Sequence, residues 1–162
     1  MLKQTVYIET TVVSYLTSRP SRDLLVAAHQ QVTVDWWENW MPLFEPFVSP
    51  LVIEEASRGD EVAARLRLEK IAGFPVLEIT DGVRRLADLY FETIQVPEKA
   101  RGDTYHLALA SFHGMDFLVT WNFGHILNPR VRTLVQTINT AQGISTPIIC
   151  TPEELMEVEH ED

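Results

Sequence analysis

Three carboxylates, Glu9, Glu55 and Asp103, occupy positions from which a fold could gather them into one site. Glu9 directly follows the apolar run Val6-Tyr7-Ile8, which reads as a strand. Asp103 opens a stretch to His113 that is apolar almost all round, the pattern of a buried helix. Glu54 and Glu55 are neighbours in a helix and point about 100° apart, so only one can face the interior. Glu55 lies four residues after Leu51 and three after Val52, on the apolar face. Glu54 lies four residues before Arg58, the spacing of an ion pair in solvent. Glu55 is therefore expected inward and Glu54 outward. An inward carboxylate costs free energy unless a cation or a hydrogen-bond donor meets it. Several that converge require metal ions.

The elements that must position these acids alternate in type. Strands are expected at Val6–Ile8, Phe47–Val48, Val76–Ile79, Phe117–Val119 and Ile148–Cys150. Thr11 is expected to cap a short helix after the first strand. Leu24 to Trp40 reads as a helix whose apolar face is Leu24, Leu25, Ala28, Val32, Trp36 and Trp40. Ser49 as N-cap and Pro50 as first helical residue start the helix that carries Glu55. Further helices are expected from Glu61 to Ala72, from Asp81 to Gln95, from Asp103 to His113 and from Asn128-Pro129 to Gln142. Thr151-Pro152-Glu153-Glu154 is a capping box that should open a last helix. Such alternation predicts an α/β sandwich with a parallel sheet and right-handed crossovers. Ligands of such sheets bind at the carboxyl ends of the strands. Those ends carry Glu9, then Ser49 and the Glu55 helix, then Thr120-Trp121-Asn122.

At 162 residues, and at roughly 150 residues per domain, the chain reads as one domain over residues 1–156, with the acidic segment 157–162 as a frayed tail. The formal charge of −10 removes any general attraction for polyanions. Contact with nucleic acid then needs a local basic rim or bound cations. A single cysteine, Cys150, excludes an internal disulfide framework and a cysteine zinc cluster, and fits a reducing compartment. No targeting segment and no membrane-length apolar run is present, so a cytoplasmic location is expected. No phosphate-binding glycine loop or nucleophile elbow occurs. Cys150, in a buried strand, is expected to be inert, and His106 to be a satisfied structural histidine. The stripe Trp36-Trp37-Trp40 reads as core or interface rather than as a base-stacking surface.

Four segments and a closing strand carry a resemblance. They are Val6-Tyr7-Ile8-Glu9-Thr10-Thr11-Val12, then Val48-Ser49-Pro50-Leu51-Val52-Ile53-Glu54-Glu55, then Gly102-Asp103 with Leu107-Ala108-Ala110, then Leu118-Val119-Thr120-Trp121-Asn122, and last Pro147-Ile148-Ile149-Cys150-Thr151-Pro152. In that order, over nearly the whole chain, they resemble the PIN-domain nucleases, and within them the small VapC-like toxins of bacterial toxin–antitoxin pairs. Two departures are plain. Glu9 stands where the family usually has aspartate, and Asn122 holds the fourth acid position. Where a nearby aspartate often accompanies such an asparagine, this chain has His125.

The resemblance implies a PIN-like three-layer α/β sandwich, with a central parallel sheet of four to five strands flanked by helices. It implies a metal-dependent endoribonuclease that uses Mg²⁺ or Mn²⁺, ions suited to hard carboxylate oxygens. Glu9 and Asp103 would be the primary ligands. Glu55 would hold or deprotonate the attacking water, and Asn122 would orient a water of the ion's shell. Thr10, Thr11 or Thr120 would contact a phosphate oxygen, and Arg19, Arg58 or Arg101 would reach the backbone of the RNA. A cognate antitoxin and a homodimer are the partners so implied, with the tryptophan helix as the face for either. The substitutions at Glu9 and Asn122, with the acidic charge, keep a second reading open: a degenerate PIN-like module that binds a protein or RNA without cutting it.

Overall fold

The computed structural model describes residues 2–156. At its centre is an all-parallel sheet in the order β2-β1-β3-β4, formed by β1 (Thr5–Ile8), β2 (Glu45–Phe47), β3 (Phe117–Val119) and β4 (Ile148–Cys150). Tyr7 pairs with Phe47 on one side and Leu118 on the other, and Leu118 pairs with Ile149. β1 therefore has neighbours on both edges, and Val6, Tyr7 and Ile8 are fully buried. That is why its sequence is a continuous apolar run rather than an alternation. The described residues form seven α-helices: α1 (Thr10–Thr17), α2 (Leu24–Asn39), α3 (Pro50–Ala56), α4 (Glu61–Ile71), α5 (Asp81–Ile94), α6 (Arg101–Phe112) and α7 (Pro129–Ala141). Helices and sheet make an α/β three-layer sandwich. No described helix is long and apolar enough to cross a membrane.

Local chemistry sets the boundaries. The Ser49 hydroxyl accepts from the Val52 N–H and Pro50 follows it; Asn128 accepts from the Arg130 and Val131 N–H groups, with Pro129 next. Gly73, at φ +86°, ends α4 in the left-handed region that a Cβ disfavours. Tyr90 and Ser111 close a buried polar knot on Asn139 beneath α7. The Cys150 thiol is buried and desolvation pushes its pKa up to about 12, a setting that disfavours the reactive thiolate.

Four expectations change. The strand expected at Val76–Ile79 is a single bridge between Val48 and Val76. The Glu45 N–H points to β1 and the Val48 N–H points the other way, to the Pro75 carbonyl, so Pro46 faces that outer edge too. Past the bridge the Leu77 N–H donates to the Val48 carbonyl, but the next residue on that edge is Pro50, which has no N–H and opens α3; before the bridge Pro46 has none to offer either. The helix expected after Thr151 is a 3₁₀ turn, Glu153–Leu155, although the capping box itself is in place. The tail at 157–162 lies outside the described residues. Thr11 does not cap α1; Glu9 holds the N-cap position and makes no side-chain cap bond. Last, the apolar face read for α2 is buried only toward its end. Trp36 has no exposed surface, but Leu24 and Leu25 are 87% and 66% exposed. Trp37 and Trp40 pack partly against the core.

Leu118→Ala, in the middle of β3, is expected to cost about 2–5 kcal/mol in urea unfolding. Leu24→Ala should cost less than about 0.5 kcal/mol. Equal costs would show that the first turn of α2 is packed after all.

Candidate functional site

The site forms where three chain segments pass the carboxyl ends of β1 and β3. Glu9 follows β1, and its N–H still donates to the Val119 carbonyl at 3.1 Å. Thr120 follows β3, and its N–H donates to the Cys150 carbonyl at 3.0 Å. The ladder thus runs one residue past the strands and aims both side chains into the same layer. Glu9 is 3% exposed. Its Oε1 accepts from the Thr11 hydroxyl at 2.5 Å and from the Thr120 hydroxyl at 2.7 Å. The same two hydroxyl oxygens accept backbone N–H groups, Thr11 from Trp121 and Thr120 from Asn122, each at 2.9 Å. The start of α1 and the loop after β3 are knitted together around one carboxylate.

Glu55 arrives from α3. Its Oε1 accepts from the Thr10 hydroxyl at 2.6 Å and pairs with His106 Nε2 at 2.8 Å. Asp103 arrives in the first turn of α6, with Oδ2 3.1 Å from His125 Nδ1 and the Asn122 side chain beside it. Glu9, Glu55, Asp103 and Asn122 line one open cavity of about 330 Å³, together with Thr10, Thr11, Ser14, Tyr15 and Arg58. Glu54 points outward and pairs with Arg58 at 2.9 Å, both side chains well exposed.

The other residues expected at a substrate lie differently. Thr120 has no exposed surface, so its hydroxyl supports Glu9 and cannot reach a phosphate. The hydroxyls of Thr10 and Thr11 are likewise spent on the two glutamates. Arg101 is outside the acid cavity; it binds Glu98 through two bonds and lies over the Phe91 ring at 3.8 Å. Arg19 lines a separate groove with Asp60 and Arg67. Arg58 alone of the three arginines borders the acids.

Environment pushes the three carboxylates apart. Burial raises the Glu9 pKa, against the partial relief of the His106 charge and the threonine bonds. Burial raises Asp103 too; His106, Asn122 and His125 oppose it and the charge of Glu55 adds to it. Burial would also raise Glu55, but the hydrogen bond and charge of His106, with the Thr10 hydroxyl, hold it below the usual carboxylate range. His106 mirrors this. Burial would lower it, and the bond to Glu55 with the charges of Glu9, Glu55 and Asp103 keeps it raised.

One oxygen each of Glu9 and Glu55 and a ring nitrogen of His106 lie within 4.8 Å of one another. The carboxylates suit a hard divalent cation: no lysine, arginine or histidine bonds Glu9 among the described residues, although burial of a lone carboxylate is costly. His106 is satisfied, as expected, since both ring nitrogens are engaged, Nε2 by Glu55 and Nδ1 by the Tyr7 hydroxyl at 2.6 Å. What sequence reasoning missed is that its partner is a site carboxylate. Two signals were present. His106 follows Asp103 by three residues on one helix, and Tyr7 puts a hydroxyl between the aliphatic Val6 and Ile8.

Neither models of known protein families nor the curated proteins return a match to this chain.

Because the folded state raises the Glu9 pKa, it favours the protonated acid. That stability is present at low pH and is lost as pH rises through the raised value. Glu9→Gln keeps an oxygen for both threonines and cannot ionise. In chelator at neutral pH it is expected to raise Tm by roughly 2–4 °C, the shift that 1 kcal/mol makes in a domain of this size. The advantage should vanish as pH falls into the carboxyl range, and thermal melts across pH check both points.

Proposed function

We propose that this protein is a divalent-metal-dependent endoribonuclease of the PIN-domain kind, the toxin of a toxin–antitoxin pair. The observation that carries the reading is the convergence of Glu9, Glu55 and Asp103 on one cavity at the carboxyl end of a parallel sheet. Asn122 borders the same cavity, and the resembling segments supply each of these residues in family order. Glu9 and Asp103 would hold Mg²⁺ or Mn²⁺, with Glu55 completing the set. When bound, the ion lowers the pKa of water and offsets the charge that builds on the phosphate. Glu55, held ionised, takes the proton from the attacking water or fixes its position. Asn122 offers a neutral polar group at the rim. Arg58 is tied to the cavity mouth by one exposed ion pair, an interaction of about 0.3–0.5 kcal/mol, and can exchange Glu54 for an RNA phosphate.

The bound cation also answers the chain's charge of −10, because it supplies the local positive field that a polyanionic substrate needs. Exposed Leu24 and Leu25 at the start of α2 favour a protein contact, in keeping with an antitoxin or a second copy. One observation favours the non-cutting alternative. Oε1 of Glu9 is closed by two hydroxyls, and the side chain is one methylene longer than the aspartate usual in the resembling family.

Purified protein, freed of any bound partner, is expected to cut single-stranded RNA with Mn²⁺ and to lose this on chelation. Asp103→Asn should abolish cleavage and leave Tm equal or slightly higher, because it removes one of three clustered charges. Glu54→Gln, outside the cavity, should change little. Cleavage that persists undiminished in Asp103→Asn, or protein that neither binds a divalent ion nor cuts RNA, refutes the reading.

A further inference from the structure

We propose that Tyr7 and His106 are positioning residues that turn Glu55 so that it meets a divalent cation through Oε2 alone, with His106 outside the ligand set. The inference rests on the metal-dependent reading above and assigns the atom by which Glu55 takes part.

Its basis is a run of buried hydrogen bonds reaching from the sheet to the cavity. The Val52 N–H donates to Ser49 Oγ at 3.2 Å, Ser49 Oγ lies 2.9 Å from the Tyr7 hydroxyl, and that hydroxyl lies 2.6 Å from His106 Nδ1. His106 Nε2 then lies 2.8 Å from Glu55 Oε1. Ser49, Tyr7 and His106 have no exposed surface, so water cannot repair a broken link. Counting donors orients the chain. Glu55 is a carboxylate, so Nε2 carries the proton toward it. The Ser49 oxygen already accepts from Val52, so its own hydrogen goes to the Tyr7 oxygen. In the neutral ring the Tyr7 hydrogen then goes to Nδ1; in the charged ring Nδ1 donates to the Tyr7 oxygen instead, and in both states the Nε2 proton faces Oε1.

Two consequences follow. Neither ring nitrogen of His106 has a free lone pair, so its closeness to Glu9 and Glu55 is that of an anchor and not of a ligand. Oε1 of Glu55, held by His106 and Thr10, is spent. Oε2 has no hydrogen bond from the described residues and faces Gly102, where a Cβ would stand 3.5 Å from it. That places Oε2 against the turn of α6 that carries Asp103. A carboxylate so pinned loses little rotamer freedom when it meets a cation.

The test is Mn²⁺ binding to the full chain, read by calorimetry and by pulsed electron paramagnetic resonance. In the unaltered protein the bound Mn²⁺ should show oxygen ligands and no directly bonded nitrogen. Tyr7→Phe and His106→Leu should each weaken Mn²⁺ binding roughly 10–100-fold. His106→Gln keeps an N–H where Nε2 stands and should restore most of the affinity, which a lost ligand would not allow. A directly bonded nitrogen that disappears in His106→Gln overturns the proposal and leaves the metal-dependent reading standing. So does unchanged affinity in both Tyr7→Phe and His106→Leu. Unaltered protein that binds no Mn²⁺ overturns both. The resonance measurement needs no variant, so a poorly folding His106→Leu does not shield the proposal.

Discussion

A carboxylate removed from water loses several kcal/mol of hydration unless protein donors or a cation replace it. At Glu9 the protein replacements are two threonine hydroxyls converging on Oε1. Each hydroxyl oxygen in turn accepts a backbone N–H from the loop after β3. The need to satisfy this one group therefore ties the start of α1 to Thr120, Trp121 and Asn122. It also brings Asn122 to the edge of the cavity that Asp103 and Glu55 share. Two hydroxyls are weaker compensation than a guanidinium. The deficit appears as the raised pKa of Glu9, and a cation would meet it.

The three acids differ because their partners differ. Glu55 has an imidazole against it and stays below the ordinary carboxylate range. Asp103 has His125 nearby and Asn122 beside it, but burial outweighs them. One imidazole thus separates a carboxylate held low from two that burial holds high.

Short strands make the arrangement rigid enough to matter. β1 has four residues and β3 three, so the side chains just past their ends lie at the edge of the interior. The backbone bonds from Glu9 to Val119 and from Thr120 to Cys150 keep these residues in register with the sheet. Rigid elements thus hold Glu9 and Thr120, while α3 and α6 bring Glu55 and Asp103 from opposite sides of the chain order.

Much of this is legible in the sequence. The helix starts at Ser49-Pro50 and Asn128-Pro129, and the capping box at Thr151, are local hydrogen-bond chemistry that a few adjacent residues decide. The inward Glu55 and outward Glu54 follow from helical geometry against a local apolar face. Where sequence reasoning fails, the deciding partner is remote or its direction unknown. The strand at Val76–Ile79 is lost because its partner edge ends at Pro50, where α3 begins, and which edge lies beside it is decided by the fold. The first turn of α2 stands clear of the core, and periodicity reports a helix's apolar face without saying how far along it the core extends. His106 and Glu55 are separated by 51 residues. Most of the elements, and the acids they carry, follow from local residues, because helix faces, caps and strand runs are short-range properties. Which imidazole anchors which carboxylate was left to the tertiary structure, because it depends on how α3 and α6 meet across β1.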